Sequence, residues 1–305
     1  MKRILLLINP RARSGSDKYL ELKAAIENNG HQVIELSHNE QNGNFKDLVL
    51  KYKSQTDIVI IGGGDGTINF VLPSLVEAKL PLILFPMGTA NLLARSFDIK
   101  TDINQLLSAI NDGKKIAIDL GIVNGIYFIN VCGLGISTEV NKQVTPRLKK
   151  LTGPFSFWLT GLKLSNRFKP FKMKLTVDGK EPITTKTWQI TICNGKKYAA
   201  WMTIEEDASY DDGTLRCLST EIQKWYQGFR LLPYYMKGSY HEDLEVNFLS
   251  GKEITIETKK PLLIDVDGDV QTRTPATFKV KSRALKLILP PDSLSESTPI
   301  SNQSL

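Results

Sequence analysis

Between Asp57 and Asn69 the chain reads DIVIIGGGDGTIN, an apolar run that breaks into three glycines, an aspartate, a fourth glycine and a threonine. Consecutive glycines adopt backbone conformations closed to other residues and let the main chain approach a ligand closely, so successive N–H groups can converge on phosphate oxygens. Gly63, Gly64, Asp65, Gly66 and Thr67 would form such a cradle, with Asn69 at the start of the following helix. From Thr67 to Ala78 the apolar residues Ile68, Val71, Leu72, Leu75 and Val76 recur at helical spacing, which sets the positive end of a helix dipole beside the same phosphates. An ordinary strand-to-helix turn requires fewer glycines than this. No Gly-Lys-Ser/Thr follows and the spacing is not G-x-G-x-x-G, so the stretch is neither a Walker loop nor a dinucleotide fingerprint. A carboxylate repels phosphate, so Asp65 should meet the phosphates through Mg²⁺ or orient a loop amide, with turn chemistry or helix capping as its plainer role.

Two further acidic clusters could do chemistry. Asp265, Asp267 and Asp269 alternate along a strand-like segment, so their side chains share one face if the strand is regular, and Gly268 permits close backbone approach or a turn. A solvated Asp-Gly hairpin is the plain alternative. Asp211-Asp212-Gly213 poses the same choice between a turn and a site of hard oxygen ligands for Mg²⁺ or Ca²⁺. His31, His38 and His241 are scattered and form no triad, which argues against a histidine-dependent hydrolase. Cys132, Cys193 and Cys217 lie in apolar runs without metal-ligand spacing and read as buried thiols of a reducing compartment.

The elements that must position these residues follow from periodicity. Ile4 to Ile8, Val33 to Leu36, Ile58 to Ile61 and Leu82 to Phe85 read as short buried strands, separated by helical stretches around Lys18 to Asn28, Phe45 to Lys53 and Thr67 to Ala78. That alternation predicts an α/β domain with a parallel sheet over residues 1–119. After about Asp119 the pattern becomes period-two strands, for example Lys172 to Val177, Thr187 to Ile192, Leu244 to Phe248, Glu253 to Thr258 and Ala284 to Leu289. These predict a mainly antiparallel, sandwich-like domain over 120–292, interrupted by one helical segment near Arg147 to Arg167. Two domains with a cleft between them are the natural outcome. The polar, Ser-rich residues 293–305 read as a disordered tail.

Composition agrees, since 305 residues at 41% hydrophobic content suffice for two domains with real cores. The basic start and short apolar run of MKRILLLINPRARSG imitate a signal peptide, but the run is too short and is followed by charge, so it reads as a first strand. No stretch reaches the roughly 18–20 apolar residues that span a bilayer. The chain carries a net charge of +7, and lysines and arginines collect at Arg147, Lys149, Lys150, Lys163, Arg167, Lys169, Lys172 and Lys174, interleaved with Phe155, Phe157, Trp158, Leu159, Phe168 and Phe171. Such a segment can settle on an anionic membrane surface, or form a surface helix on its own core. No nucleic-acid-binding module is visible, which leaves nucleic acid the weaker partner.

GGGDGT at Gly62 to Thr67, followed by PMGTAN at Pro86 to Asn91, resembles the paired nucleotide-binding motifs of the diacylglycerol-kinase catalytic domain. LLLINPRARSG at Leu5 to Gly15 is similar to that family's first-strand motif, in which an Asn-Pro turn touches the nucleotide. NVCGLGIST at Asn130 to Thr138, TPRLKKLTGPFSFWLTGLK at Thr145 to Lys163, ICNGK at Ile192 to Lys196, DDGTL at Asp211 to Leu215 and DVDGD at Asp265 to Asp269 extend the resemblance over nearly the whole chain, in the order of the bacterial, YegS-type branch.

The resemblance implies a cytoplasmic, peripherally membrane-associated lipid kinase of phospholipid metabolism, with ATP as phosphate donor, Mg²⁺ as cofactor and a diacylglycerol-like or other membrane lipid as acceptor. It also implies that the nucleotide binds the first domain and the lipid the second, with the active site in the cleft between them. A homodimer is compatible with it. It adds Asn9, Gly62, Gly88, Thr89 and Asn91 to the nucleotide site, assigns Asp269 as proton acceptor with Asp267 as the neighbouring acid, and carries a structural Mg²⁺ onto the Asp212 carboxylate and the carbonyls of Ser209 and Thr214. Phe70 and Leu92 stand where many relatives carry acidic residues, which leaves Asp65 the main carboxylate near the phosphates. Lys197-Tyr198-Ala199-Ala200-Trp201 replaces a stretch that is often Gly-rich in relatives, and its bulk would reshape the lipid-facing wall. An NAD-kinase-like or other soluble-acceptor kinase, since NAD kinases share a related GGDGT, and a non-catalytic nucleotide- or lipid-binding protein are the competing readings.

Overall fold

The computed structural model describes residues 1–10, 12, 15–37, 40, 43–143, 169–195, 197–199, 202–205, 208–222, 227 and 246–293. The predicted helical segment at 147–167, with most of its basic and aromatic residues, and residues 294–305 of the predicted tail lie outside that set. The chain divides into two compact units, Met1–Leu120 with Ser282–Leu305 and Gly121–Lys281. Residues 282–292, predicted for the second domain, therefore return to the first unit, because one long strand runs on from the second unit to complete the first unit's sheet.

The first unit alternates strand and helix as its sequence dictates: β1 (Arg3–Ile8), α1 (Gly15–Asn28), β2 (Gln32–Val33), α2 (Phe45–Tyr52), β3 (Ile58–Gly63), α3 (Asp65–Ala78), β4 (Leu82–Pro86), α4 (Leu92–Ser96), α5 (Ile103–Asp112) and β5 (Lys114–Val123), which continues into the second unit. β2, β1, β3 and β4 pair in parallel, Leu5 opposite Val59 and Val59 opposite Leu82. A strand buried on both faces has no polar face, which explains the unbroken runs RILLLI and IVIIGG. On one face Ile4, Leu6, Ile58, Ile60, Ile83 and Phe85 pack with Leu22 and Ile26 of α1 and Leu106 and Ile110 of α5. Helix caps agree with local chemistry. Asn44 accepts from Lys46 N to open α2, and Asp102 accepts from Asn104 N and Gln105 N to open α5. Ser293, the first residue of the predicted tail, is instead buried and donates through Oγ to the Pro290 carbonyl at 2.7 Å.

The second unit contains β6 (Ile126–Phe128), β7 (Val131–Gly135), α6 (Ile136–Gln143), β8 (Phe171–Val177), β9 (Ile183–Thr187), β10 (Gln189–Cys193), β11 (Lys197–Ala199), β12 (Met202–Thr203), β13 (Leu215–Thr220), β14 (Val246–Gly251), β15 (Glu253–Thr258), β16 (Leu263–Val266), β17 (Asp269–Arg273) and the first half of β18 (Ala276–Leu289). One antiparallel layer runs β14-β13-β10-β7-β16-β17, and another joins β9, β8, β15 and β18. Alternate residues of both layers, among them Leu134, Ile190, Ile192 and Ile264 against Met173, Leu175, Ile254 and Phe278, form one core, which makes this unit a β-sandwich. Cys132, Cys193 and Cys217 are buried free thiols, and burial pushes the Cys217 thiol up to about 12. Among the described residues no helix is long and apolar enough to cross a membrane.

Candidate functional site

In the first unit, two glycine turns meet because neither carries a β-carbon. Gly64 ends the β3 turn as N-cap of α3, and Gly88 follows β4; a β-carbon at Gly88 would lie 2.6 Å from Gly64 Cα, and one at Gly64 would lie 3.0 Å from Gly88 Cα. Gly63 is equally constrained, since a β-carbon there would press on the Thr67 side chain at 2.6 Å. The parallel pairing of β3 with β4 sets this contact, with Gly63 opposite Pro86 and Met87 N–H bonded to the Gly63 carbonyl at 2.9 Å. Asn9 joins from the end of β1: its N–H donates to the Gly62 carbonyl and its Nδ2 to Thr67 Oγ1, both at 2.8 Å. Asn91, in the left-handed region at φ 47, accepts from Gly88 N–H at 3.0 Å and donates through Nδ2 to the Gly88 carbonyl at 2.9 Å, so it braces the second turn. Thr89 is exposed at the tip of that turn. The predicted nucleotide residues are thus brought together at the N-terminus of a fourteen-residue helix, where main-chain amides lack intrahelical partners. Asn69 contributes a buried side-chain oxygen with no hydrogen-bond partner among the described residues.

Asp65 takes the second of its two predicted roles. Its Oδ1 accepts the Leu92 N–H at 2.8 Å, so the carboxylate orients the start of α4. Burial pushes the Asp65 carboxyl above the ordinary range, against the pull of the Leu92, Leu93 and Asn91 amides. The Oδ1 atom is thus spent on an amide, and among the described residues no three His, Cys, Asp or Glu side chains cluster as a protein-only metal cage would need. Phe70, 47% exposed, stands one turn into α3 with Lys46 Nζ 4.4 Å over its ring.

In the second unit, Asp265, Asp267 and Asp269 do not share a face. β16 ends at Val266, and Asp267 (φ 49) and Gly268 (φ 100) form a two-residue turn that pairs Val266 with Asp269. Positive φ at both central positions is the hairpin geometry that matches strand twist. The turn sends the three acids different ways. Asp265 is buried and accepts from Gly268 N–H at 2.9 Å. Asp267 accepts from Ile129 N–H through Oδ2 at 2.7 Å and from Asn130 and Val131 N–H through Oδ1 at 2.9 and 2.8 Å. Asp269 is exposed at the start of β17.

Sequence reasoning missed the partners of this turn. Asn130 Oδ1 accepts from the Tyr210 hydroxyl at 2.8 Å, and Asn194 donates to the Ile129 carbonyl at 3.0 Å, all within buried surroundings. Asn130 and Asn194 sit inside NVCGLGIST and ICNGK, so the motifs contained them without exposing their roles. The predicted metal set also needs correction. Asp212 accepts from Ser209 N–H and Thr214 N–H at 2.9 Å each and carries the Arg216 guanidinium, so these residues do not fit a divalent cation. The overlooked signal was a charged residue within the buried strand LRCL.

Residues 3–123 match the model of the diacylglycerol kinase catalytic domain, and residues 130–289 match that of the YegS C-terminal NAD kinase beta sandwich-like domain. The chain belongs to the YegS-type diacylglycerol-kinase family. It is a lipid kinase, a phosphotransferase with an alcohol group as acceptor. A diacylglycerol kinase of Staphylococcus aureus (strain bovine RF122 / ET3-1) is 27% identical over 242 residues, 79% of this chain and 76% of that protein. The fold is shared with a crystal structure of a candidate diacylglycerol kinase from Bacillus anthracis str. Sterne, at 22% identity and a TM-score of 0.76 over 96% of this chain and 97% of that one. An NAD kinase from Archaeoglobus fulgidus in complex with ATP aligns at 12% identity and a TM-score of 0.50 over 95% of this chain and 94% of the other.

Proposed function

We propose that the chain transfers the γ-phosphoryl group of ATP, presented with Mg²⁺, to the hydroxyl of a diacylglycerol-like membrane lipid. The observation that carries this reading is the contact of Gly64 with Gly88, braced by the Asn9–Thr67 hydrogen bond, at the N-terminus of α3. Bare Cα atoms at that point leave no side-chain bulk between the backbone amides and a triphosphate. Phosphoryl transfer asks a protein mainly for positioning and for stabilisation of charge, and Mg²⁺ supplies neutralisation on the triphosphate itself. In this reading Gly62, Gly63, Gly64, Gly66, Thr67 and Asn69 hold one side of the phosphates and Gly88, Thr89 and Asn91 the other. Asp65 keeps the amides at the head of α4 oriented.

Asp269 is the acid that orients or deprotonates the lipid hydroxyl. Its exposure supports the role, because Asp265 and Asp267 spend their carboxylates on backbone amides. An anionic membrane surface belongs to the same proposal, supported by the cationic stretch that ends in Lys172 and Lys174 on the exposed face of β8. The deciding experiment presents labelled ATP with a lipid panel and, separately, with NAD. Label in a diacylglycerol-like lipid is the expected result; label in NAD alone, or in no acceptor, overturns the reading.

A further inference from the structure

Arg216 lies in β13 between Leu215 and Cys217, and only 6% of its surface is exposed. A buried guanidinium must be paired, and this one is paired on every side that the structure describes. Its Nη1 and Nη2 fork onto the two oxygens of Asp212 at 2.9 and 2.6 Å. Nη1 also donates to the Thr214 carbonyl at 3.0 Å, and Nε donates to Glu205 Oε2 at 2.7 Å. Two carboxylates and one main-chain carbonyl thus converge on a single positive charge. Hard oxygen donors of that kind are what Mg²⁺ or Ca²⁺ requires, and here a side chain fixed to the backbone supplies the charge.

The segment so gathered is more than a surface turn. Asp212 also takes the N–H groups of Ser209 and Thr214, which closes the loop on itself. Between them, buried Tyr210 donates its hydroxyl to Asn130, whose own N–H is held by Asp267. The conformation of the 208–214 loop therefore bears on the amides that anchor the Asp267–Gly268 turn.

We infer that Arg216 is a built-in replacement for a divalent cation: its guanidinium holds the 208–214 loop closed through Asp212 and the Thr214 carbonyl and ties Glu205 to it, and this loop binds no metal. The inference concerns the folded second unit and is independent of the phosphoryl-transfer reading. Guanidinium is charged throughout the working pH range and no chelator removes it, so the loop should be indifferent to metal ions.

The test is thermal unfolding of the nucleotide-free protein, followed by tryptophan fluorescence, in EDTA and in millimolar MgCl₂. The native protein and Asp212→Asn should respond to Mg²⁺ alike, each transition moving by no more than about 1 °C. Arg216→Ala should melt several degrees lower in EDTA and recover part of that loss in MgCl₂, because it uncovers an oxygen-lined space. The double variant Arg216→Ala/Asp212→Asn should not recover. A Mg²⁺-dependent gain in the native protein that Asp212→Asn abolishes would overturn the inference, since a metal would then occupy the loop. So would an Arg216→Ala protein that melts with the native one, or one that recovers nothing in MgCl₂. If Arg216→Ala does not fold, the native and Asp212→Asn pair still decides.

Discussion

Asp267→Asn tests whether the acidic turn is held by its own anchor. At φ 49 the residue occupies the left-handed region, which asparagine tolerates as aspartate does, so the substitution leaves the backbone unstrained and isolates the hydrogen bonds. The carboxylate accepts three N–H groups, from Ile129, Asn130 and Val131, and all three residues are at most 9% exposed. An amide oxygen can keep the pair from Asn130 and Val131, but the amide nitrogen then faces the Ile129 N–H, donor against donor. Losing one charge-assisted bond costs about 1.5–3 kcal/mol, and neutralising the acceptor of the other two adds about 0.5–1 kcal/mol each. The total is about 2.5–5 kcal/mol. All four tryptophans, Trp158, Trp188, Trp201 and Trp225, fall within residues 121–281, so their fluorescence in urea reports from the second unit. With a slope of about 2–3 kcal/mol per M, the midpoint should fall by about 1–2.5 M at unchanged slope. Asp269→Asn, at an exposed position, should move it by less than about 0.3 M. Equal, small shifts for both variants would refute the anchoring role and reduce the segment to a solvated turn.

Asp65→Asn should lower phosphoryl transfer on the order of a hundredfold by loosening the head of α4, with the fold retained. Because burial raises the folded-state pKa of Asp65, its stabilising contribution is present below the unfolded value, near about 4, and is lost as pH rises through the folded value. The Asp65→Asn protein lacks that loss, so its stability relative to the native protein should climb from about pH 4 toward neutrality; parallel curves would contradict the buried carboxyl. Gly64→Val pushes side-chain carbons toward Gly88 Cα and should weaken ATP binding by calorimetry, and unchanged affinity counts against the cradle. Asp269→Asn should depress kcat by roughly 10²–10⁴-fold while ATP affinity holds, and full turnover would remove it from the chemistry.

What the sequence by itself determined were the features whose causes are local. An apolar run, adjacent glycines and a helical repeat are written in neighbouring residues, so β3, the Gly62–Gly66 turn and α3 were legible along with the α/β and sandwich division. Family motifs reached further and marked Asn9, Gly88 and Asn91 for one site, which β-pairing of β1, β3 and β4 brings about. What only the tertiary structure decided was where each charge is spent. Asp65 finds its partner 27 residues away at Leu92, and Asp267 finds its partners up to 138 residues away at Ile129 to Val131. The alternation of Asp265, Asp267 and Asp269 suggested one acidic face, but two positive-φ residues turned the chain between them. Arg216 shows the same limit. Its neighbours in sequence are apolar, and nothing local says that a buried cation there will meet Glu205, Asp212 and the Thr214 carbonyl. A buried charge must be compensated, yet its compensation comes from whichever groups the fold delivers, and that delivery is a property of the packed chain.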